Sequence, residues 1–347
     1  MKKIISIVGA RPQFIKHAPM QLQLQKKMNA LTIHTGQHYD ENMSAIFFNE
    51  LNMPKPDYLF QIGGSKPQGE QTGIMMIEIE KVCMQEKPDA VLVYGDTNST
   101  LAGALVAVKM GIPQIHIEAG LRSYNRAMPE EVNRIIADEF AHLLFCPTNT
   151  AIENLKREGI EHPRIFKCGD VMCDMIQLIA PKAARKIKED YYFATIHRPY
   201  NTDDDKRILA ILNIFNSLDK KVIFSIHPRT LTRLHQFDIA ESDFSNILFI
   251  PPTSYVDSVS YQKYCTCVIT DSGGVQKEAY MLGKKCITLR SETEWVETLH
   301  NHWNTLVFDN LEDIYNALLT TPINYIENMY GDGHAAEEIV ELIEKHL

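Results

Sequence analysis

The chain has 347 residues, which is long for a single hydrophobic core and favours two domains. Hydrophobic residues make up 45% and charged residues 23%, as in ordinary globular proteins, and the net charge of −9 disfavours nucleic acid or an anionic membrane as a partner. The seven cysteines lack partners at zinc-ligand spacing, and no apolar run approaches a membrane span of about 18 residues. Since no signal peptide precedes the first strand-like run, we expect a cytoplasmic protein without a bound metal.

Short apolar runs alternate with longer amphipathic segments along the chain. The predicted strands are 3–8, 31–35, 90–94, 113–117, 143–146, 191–196, 221–226, 247–250, 266–270 and 285–289. The predicted helices are 17–29, 68–85, 99–110, 130–142, 148–158, 204–218, 274–282, 311–319 and 334–346. This alternation predicts an α/β fold whose parallel sheets are covered by helices on both faces.

The alternation weakens over 168–190, and the charges clustered over 182–190 are typical of a polar connector. For this reason we place a domain boundary near 168. The two halves then predict two Rossmann-like domains with parallel sheets facing a central cleft. Ligands are expected at the carboxyl ends of the strands.

Charged side chains follow several predicted strands of the first half. Arg11 and Lys16 are suited to bind a phosphate or a sugar hydroxyl, unless they are solvated surface cations. Asp96 either caps the following helix or projects towards a ligand. Glu118 ends an otherwise apolar strand, where an unpaired carboxylate is costly, so a functional role is favoured. His116, inside that strand, is more typical of a core residue.

Two glutamates, Glu130 and Glu131, follow Pro129 at a predicted helix start. Helix-start chemistry explains both without catalysis, because proline suits the first turn and acids favour the positive end of the helix dipole. In the second half, His197-Arg198 and His227-Pro228-Arg229 each follow a strand. Two such pairs at equivalent points predict a cationic wall opposite the carboxylates.

The most informative segment is the Ser-Gly-Gly turn that follows strand 266–270. Ser272, Gly273 and Gly274 allow backbone N–H groups to approach a diphosphate, and the helix that begins there adds its positive dipole end. Glu278 is placed to accept hydrogen bonds from ribose hydroxyls. An ordinary turn with a serine cap would account for the same residues. Because no Gly-x-Gly-x-x-Gly follows a strand, a tightly held nicotinamide cofactor is not indicated.

Several motifs over roughly residues 1–300 follow one another in the same order as the motifs of one known protein family. They are Gly9-Ala10-Arg11-Pro12 with Lys16, Thr35-Gly36-Gln37-His38, Gly95-Asp96-Thr97, Glu118-Ala119-Gly120-Leu121-Arg122, Pro129-Glu130-Glu131-x-Asn133-Arg134, His197-Arg198 and Asp271-Ser272-Gly273-Gly274-Val275-Gln276-x-Glu278. Together they resemble the motifs of the non-hydrolysing UDP-N-acetylglucosamine 2-epimerases. The resemblance implies a GT-B-like fold with a first domain, 1–168, that the C-terminal helix 333–347 joins, and a UDP-binding domain, 169–332. It also implies a homodimer that acts on a UDP-sugar without a redox cofactor.

The resemblance assigns roles residue by residue. It implies that the catalytic residues are Asp96, Glu118, Glu130 and His197. It implies that the substrate-binding residues are Arg11, Lys16, Glu131, Arg134, Arg198, His227, Ser272, Gly273, Gly274 and Glu278. Gln37 and His38 match a pair through which some members bind a second, activating UDP-sugar.

The implied reaction is reversible C2 epimerisation of UDP-GlcNAc to UDP-ManNAc for bacterial cell-surface polysaccharides, by anti elimination of UDP to 2-acetamidoglucal and re-addition. The segment Thr293-Glu294-Trp295 looks more like the branch that acts on UDP-2,3-diacetamido-2,3-dideoxyglucuronate, which is an alternative substrate. The sequence is also compatible with a GT-B glycosyltransferase, a hydrolysing epimerase or a non-catalytic nucleotide-sugar sensor.

Overall fold

A computed structural model of the protein describes residues 1–37, 53–63, 66–160 and 163–347. The chain divides into two compact units, Met1–Gln177 with Asn328–Leu347, and Leu178–Glu327. Each unit is built on a parallel β-sheet with helices between its strands. The predicted α/β class with two Rossmann-like parallel-sheet domains is confirmed.

The first unit contains a seven-stranded parallel sheet within the described ranges, in the order β3-β2-β1-β4-β5-β6-β7. Its strands are β1 Lys3–Val8, β2 Asn29–His34, β3 Tyr58–Leu59, β4 Ala90–Tyr94, β5 Gln114–Ile117, β6 Leu143–Cys146 and β7 Ile165–Lys167. Its first helices are α1 Arg11–Lys27, α2 Gln68–Glu86, α3 Asn98–Lys109, α4 Pro129–Phe140, α5 Asn149–Arg157 and α6 Val171–Ile179, which ends across the unit boundary. The strand order reverses between β1 and β4, the position at which open α/β sheets bind ligands.

The second unit repeats this order in a six-stranded parallel sheet, β10-β9-β8-β11-β12-β13. Its strands are β8 Tyr191–Thr195, β9 Lys221–Ser225, β10 Ile247–Ile250, β11 Cys267–Thr270, β12 Cys286–Thr288 and β13 Asn304–Leu306. Its helices are α7 Pro199–Thr202, α8 Asp205–Ser217, α9 Pro228–Gln236, α10 Tyr255–Tyr264, α11 Gly273–Met281 and α12 Asp313–Leu319. Short 3-10 helices are Ala180–Lys182, Glu241–Asp243 and Val296–His302. The reversal here lies between β8 and β11.

The last helix, α13 Ala335–His346, belongs to the first unit. Its buried Ile339 and Ile343 share a core cluster with Met20 and Leu24 of α1. Asp174 of α6 accepts a hydrogen bond from the backbone N–H of Ala336 at 2.9 Å, which supplies a partner to the first turn of α13.

The division between the units comes after Gln177, whereas the sequence placed it near 168. The start of α6 is tied to the returning chain, because Asp170 donates its backbone N–H to the carbonyl of Tyr330 at 2.7 Å and the Cys173 thiol donates to the same oxygen. These contacts join segments far apart in the chain, so local sequence patterns do not reveal them.

Several local predictions were wrong. The prediction missed helices α6, α7, α9 and α10 and strands β3, β7 and β13. The polar connector predicted at 182–190 is present, because 183–190 contains neither a helix nor a strand. Helix α1 begins at Arg11 and not at residue 17. The reason is a cap: the backbone N–H groups of Gly9 and Ala10 donate to the Gln13 side chain at 2.8 and 3.2 Å, and Pro12 occupies the first turn.

None of the helices in the described part of the chain has both the length and the apolar character needed to cross a bilayer. Within the same residues, no cluster of three or more His, Cys, Asp or Glu side chains is arranged to hold a metal ion.

Candidate active site

In the first unit, the predicted site residues lie where the strand order reverses. The segment after β1 leads into α1, which carries Arg11 and Lys16, and Asp96 follows β4 on the neighbouring strand. The turn after β1 is tight: a Cβ on Gly9 would lie 2.1 Å from Thr35 Oγ1 and 2.2 Å from Ser99 Oγ. Only glycine fits there, so the backbone of this turn is fixed by packing.

Glu118 follows β5 and is buried, with an ion pair to the buried Lys16 of α1. Its backbone has a φ of 68°, a left-handed conformation that is uncommon for a residue other than glycine. The bonds of the Glu118 and Ala119 N–H groups to the Phe145 carbonyl, at 3.1 and 3.0 Å, hold this turn. Such a conformation costs on the order of 1–3 kcal/mol and is typical of functional sites.

Gly95 brings the ends of β4 and β5 together. Its φ is 61°, and a Cβ there would lie 2.9 Å from Glu118 Oε2 and 3.3 Å from Lys16 Nζ. The glycine therefore leaves room for the Lys16–Glu118 pair beside the chain segment that carries Asp96.

Asp96 is more accessible than Glu118, with 30% of its side chain exposed against 7%. It pairs with Arg134 of α4, and Asn133 donates to its backbone carbonyl at 2.9 Å. The helix cap predicted as its other possible role belongs instead to Thr97, whose hydroxyl accepts from the Thr100 N–H at 3.3 Å. Asp96 is thus held by α4 and is not used as the cap of α3.

The two glutamates at the start of α4 have different surroundings. Glu130 is half-buried in the first turn. Glu131 is buried, and its carboxylate accepts from both Ser123 and Tyr124 and pairs with Arg134 at 3.0 Å. Glu131 therefore fixes the loop before α4, and Glu130 is the more accessible of the two.

A buried charged network, which the sequence did not predict as a unit, lies behind these carboxylates. His116 is fully buried between Asp138 of α4 and the carbonyl of Gly95, at 2.7 Å from each. Asp138 also accepts from Arg122 at 2.6 Å and from the Gly120 N–H at 3.1 Å. Burial alone would raise the pKa of Asp138, but the charges and hydrogen bonds of His116 and Arg122 lower it below the usual value. The sequence signal for Asp138 is its position seven residues after Glu131, on the buried face of α4.

The remaining predicted residues of this unit are Arg11, Gln37 and His38. Arg11 opens α1 and is half-buried. Gln37 is buried, and its amide oxygen accepts from the N–H and the hydroxyl of Ser99 at 3.0 and 2.7 Å. These hydrogen bonds hold the residues that pack around the Gly9 turn. His38 lies outside the described residues.

In the second unit, Asp271 after β11 organises the loop after β8. It accepts backbone N–H groups from His197 and Arg198, at 3.0 and 2.9 Å, and the Asn201 amide at 3.1 Å. The His197 ring also lies 3.2 Å from Asp271 and remains 37% exposed. The completely buried Asp271 thus presents His197 at the carboxyl end of the sheet.

His227 lies near His197, with 6.1 Å between the ring centroids. It is exposed, and its Nδ1 accepts from the backbone N–H of Arg229 at the start of α9. The two histidines thus follow neighbouring strands of the second sheet, and His227 also caps α9; the cationic wall that the sequence predicted stays a prediction.

The start of α11 combines a serine cap with a glycine, Gly274, that has free space beside it. Ser272 accepts from the Val275 N–H, and a Cβ on Gly274 would meet no atom within 4 Å. In contrast, a Cβ on Gly273 would lie 2.5 Å from Glu294 Oε1, because the buried Arg290–Glu294 pair packs against this turn. The Arg290–Glu294 pair was not predicted, and an arginine just past the end of β12 is the signal that could have revealed it.

Farther along α11, Glu278 is buried and accepts from the Gln262 amide of α10 at 2.8 Å. The neighbouring Lys277 is also buried, with its Nζ 3.8 Å from the centre of the Trp295 ring. That distance is within cation–π range.

Comparisons with known proteins agree on one family. The sequence profile described as UDP-N-acetylglucosamine 2-epimerase matches residues 20–344. The chain is 45% identical to the UDP-N-acetylglucosamine 2-epimerase of Methanocaldococcus jannaschii, over 98% of both proteins, and 43% identical to the UDP-2,3-diacetamido-2,3-dideoxy-D-glucuronate 2-epimerase of Pseudomonas aeruginosa, over 99% of both. The crystal structure of the M. jannaschii UDP-GlcNAc 2-epimerase in complex with UDP-GlcNAc and UDP superimposes with a TM-score of 0.92, at 43% identity and over 99% of each chain.

Proposed function

Because the chain belongs to the UDP-N-acetylglucosamine 2-epimerase family and is an isomerase of that kind, we propose that it converts UDP-GlcNAc reversibly into UDP-ManNAc. The support is the identity to a UDP-GlcNAc 2-epimerase over nearly the whole chain and the likeness to a structure in complex with UDP-GlcNAc and UDP. Membership in an epimerase family favours this reaction over the glycosyltransferase and the sensor that the sequence left open.

The chemical difficulty is that the C2 proton of the sugar has no neighbouring carbonyl to acidify it. Departure of UDP with the electron pair of the C1–O bond places positive charge at C1, and a carboxylate then takes the C2 proton. The product is 2-acetamidoglucal, with a C1–C2 double bond. In the return step a UDP oxygen attacks C1 and a proton reaches C2 from the opposite face, so two acid–base groups are needed.

The carboxylates of the first unit supply these groups in the proposal. Glu118 is fixed by its turn and by Lys16, whereas Asp96 is more exposed and paired with Arg134. Glu130, half-buried at the start of α4, is the third candidate. Their negative charges also stabilise the cationic C1 of the transition state. Arg11 is assigned to the leaving phosphate, and Glu131 and Arg134 to positioning of Asp96 and the adjoining loop.

The second unit is proposed to hold the nucleotide. Ser272, Gly273 and Gly274 offer the backbone N–H groups of α11 to the diphosphate, and Glu278 accepts from the ribose hydroxyls. His197, fixed by Asp271, donates to the leaving phosphate, and Arg198 adds positive charge. His227, whose Nδ1 accepts from the Arg229 N–H, offers the N–H of its other ring nitrogen to the phosphate.

The observation that carries the proposal is the buried Lys16–Glu118 pair on a strained turn beside the segment of Asp96. The test is proton NMR of UDP-GlcNAc incubated with the enzyme in D2O, where deuterium should enter C2. Glu118→Gln should lower kcat on the order of 10²–10⁴-fold while UDP still binds. Glu153→Gln, an exposed glutamate of α5, is the control and should keep full activity. Epimerisation without deuterium at C2 would contradict the mechanism.

A second candidate substrate is UDP-2,3-diacetamido-2,3-dideoxyglucuronate. It is favoured by the 43% identity to the P. aeruginosa 2-epimerase of that sugar and by Trp295, which stacks on Lys277 in the segment that resembles that branch. Product NMR with each UDP-sugar separately discriminates the two. The better substrate is the one with the higher kcat/KM.

Homodimer formation, cytoplasmic location and a role in bacterial cell-surface polysaccharides such as capsule or lipopolysaccharide O-antigen remain part of the proposal. Their support is the motif resemblance. Light scattering coupled to size-exclusion chromatography tests the dimer, for which the mass expected is twice the 39.6 kDa of the chain.

A further inference from the structure

Helix α4 gathers the carboxylate segments of the first unit. Its start carries Glu130, its next turn carries Arg134 paired with Asp96, and its third turn carries Asp138. Asp138 does not contact a candidate carboxylate. It reaches the same segments indirectly, through His116 to the Gly95 carbonyl, and directly at the Gly120 N–H. These two backbone groups flank Asp96 and Glu118.

The hydrogen-bond partners of His116 define its protonation state. One ring nitrogen faces a carboxylate oxygen and the other faces a backbone carbonyl, and both of these partners are acceptors. A neutral imidazole has only one N–H, so both bonds form only when the ring is an imidazolium. Asp138 is ionised in this arrangement, because it forms an ion pair with the Arg122 guanidinium at 2.6 Å, and a cation this close favours the charged carboxylate.

The charges around the ring balance. The cations His116 and Arg122 face the carboxylates of Asp138 and Glu158, the second of which accepts from the Arg122 guanidinium. The Cys146 thiol near Asp138 is neutral, since burial raises its pKa well above the usual value. A buried imidazolium is thus compensated within hydrogen-bond distance, as buried charges require.

His17 provides a contrast within the same unit. It is equally buried, but its nitrogens face the hydroxyls of Tyr94 and Thr32, at 2.7 and 3.0 Å. Hydroxyls donate as well as accept, so a neutral ring satisfies both contacts. Burial lowers the pKa of His17 to about 3, which agrees with a neutral ring.

We propose that His116 is a positioning residue for epimerisation: as an imidazolium between Asp138 and the Gly95 carbonyl, it fixes the strand ends that carry Asp96 and Glu118. The role of His116 in catalysis rests on the proposed function, whereas its positive charge is inferred from its hydrogen-bond partners alone. The hydrogen bond from His116 to the Gly95 carbonyl fixes the backbone directly before Asp96. The hydrogen bond from the Gly120 N–H to Asp138, which also holds His116, restrains the strained turn at Glu118. Two groups that act on opposite faces of one carbon need such a common support.

The first experiment measures the charge without any substrate. In wild-type protein with ¹⁵N-labelled histidine, the side-chain signals of His116, assigned by their loss in His116→Gln, should show two protonated nitrogens near neutral pH. The signals of His17, assigned through His17→Gln, should show one protonated and one bare nitrogen. One bare nitrogen on His116 would overturn the inference, whether or not the protein epimerises a UDP-sugar.

The second experiment measures the effect on catalysis. His116→Gln should lower kcat on the order of 100-fold with little change in KM, because the amide has an acceptor oxygen where the imidazolium has its second N–H donor. The matched control His17→Gln removes an equally buried ring and should leave kcat unchanged. An equal fall of kcat in both variants, or an unchanged kcat in folded His116→Gln, would contradict a positioning role.

The Asp138→Asn substitution removes the negative charge of the side chain and keeps its size. Its amide can donate to a neutral His116 ring, which then keeps its N–H to the Gly95 carbonyl. We expect the ¹⁵N signals of His116 to change to those of a neutral ring, and the fall of kcat to be smaller than in His116→Gln. A fall as large as in His116→Gln, with the ring still an imidazolium, would show that the Gly95 bond is not what matters. A wild-type enzyme inactive on every UDP-sugar would instead refute the proposed function and leave the ¹⁵N result standing.

Discussion

At the scale of single residues, the cost of burying charge explains much of the first unit. Lys16, Glu118, Arg122 and Asp138 are all buried, and each lies in an ion pair. Removing one partner of such a pair leaves the other charge without compensation, which is costly, whereas removing both is often nearly neutral. The ion pairs therefore constrain substitutions strongly even though they add little net stability.

Lys16→Met should lower the free energy of unfolding by about 3 kcal/mol, because the buried Glu118 carboxylate loses the ammonium that compensates its charge. In a Glu118→Gln background the same change should cost much less. Urea denaturation of the two single variants and the double variant measures the coupling. Lys27→Met, on the exposed side of α1, is the control and should change stability little. Additive effects would show that Lys16 and Glu118 are not coupled.

Buried neutral histidines make stability depend on pH. Burial lowers the pKa of His17 from 6.5 to about 3 and that of His34 to about 4. Below pH 6.5 the unfolded chain binds protons at these positions and the folded chain does not, so the free energy of unfolding falls as pH falls from 6.5 towards 3. His17→Gln should make this fall shallower by up to about 1.4 kcal/mol per pH unit, and the exposed His300→Gln should not. Urea denaturation at a series of pH values provides the test.

At the scale of elements, the ends of β8 and β11 and the start of α11 form the part of the candidate site that is proposed to bind the nucleotide. The serine cap and the Arg290–Glu294 pair fix the first turn of α11. The open space beside Gly274 is where a ligand can approach the backbone of this turn. An ordinary turn has no need of a bare backbone there. The substitution of this glycine therefore separates a structural role from a ligand-binding one.

Gly274→Ala should raise the free energy of unfolding by about 0.5–1 kcal/mol, since a Cβ in a helix with no neighbour within 4 Å costs nothing and restricts the unfolded chain. It should also weaken UDP binding, because the methyl group occupies the approach of the diphosphate. Gly73→Ala in α2, where a Cβ likewise meets nothing, should stabilise similarly and leave UDP binding intact. Calorimetry with UDP measures the difference. Unchanged affinity in Gly274→Ala would leave the turn as an ordinary cap.

The sequence predicted most elements but not all. Strands such as β4, buried on both faces, are continuous apolar runs and were predicted directly. The short β7 and β13 and helix α6 were missed, because their identity depends on contacts with distant segments. The same limit applies to the site: Asp96, Glu118 and the Ser272 turn follow strands and could be predicted, whereas the link from His116 to Gly95 through space could not.

At the scale of the whole molecule, two units with separate cores divide the proposed work, with proton transfer in one and nucleotide binding in the other. The Rossmann order appears in both sheets, so the fold class followed from the alternation of strands and helices. The boundary after Gln177 did not, because the start of α6 is held in the first unit by contacts with Tyr330, a residue far along the chain.

Because the two units have separate cores, a substitution in one core should destabilise that unit and not the other. Ile339→Ala in α13 should destabilise the first unit by about 2–4 kcal/mol, as for other buried isoleucines, and increase hydrogen exchange in β1, β4 and β5. Ile314→Ala in α12, equally buried, should do the same to the second unit's strands and not to the first. Exchange mass spectrometry distinguishes the two patterns. Loss of protection across both units from either change would show that the protein unfolds as one cooperative body.

The position of α13 also has a consequence for biosynthesis. Met20 and Leu24 receive the packing partners that α13 supplies only when residues 335–346 have left the ribosome, after the entire second unit. At roughly 5–20 residues per second, translation of that insertion takes on the order of ten seconds. During this interval the first unit carries an uncovered apolar groove, while the second unit can already fold. A nascent chain stalled before residue 335 should therefore recruit chaperones through its oldest segment and not its newest.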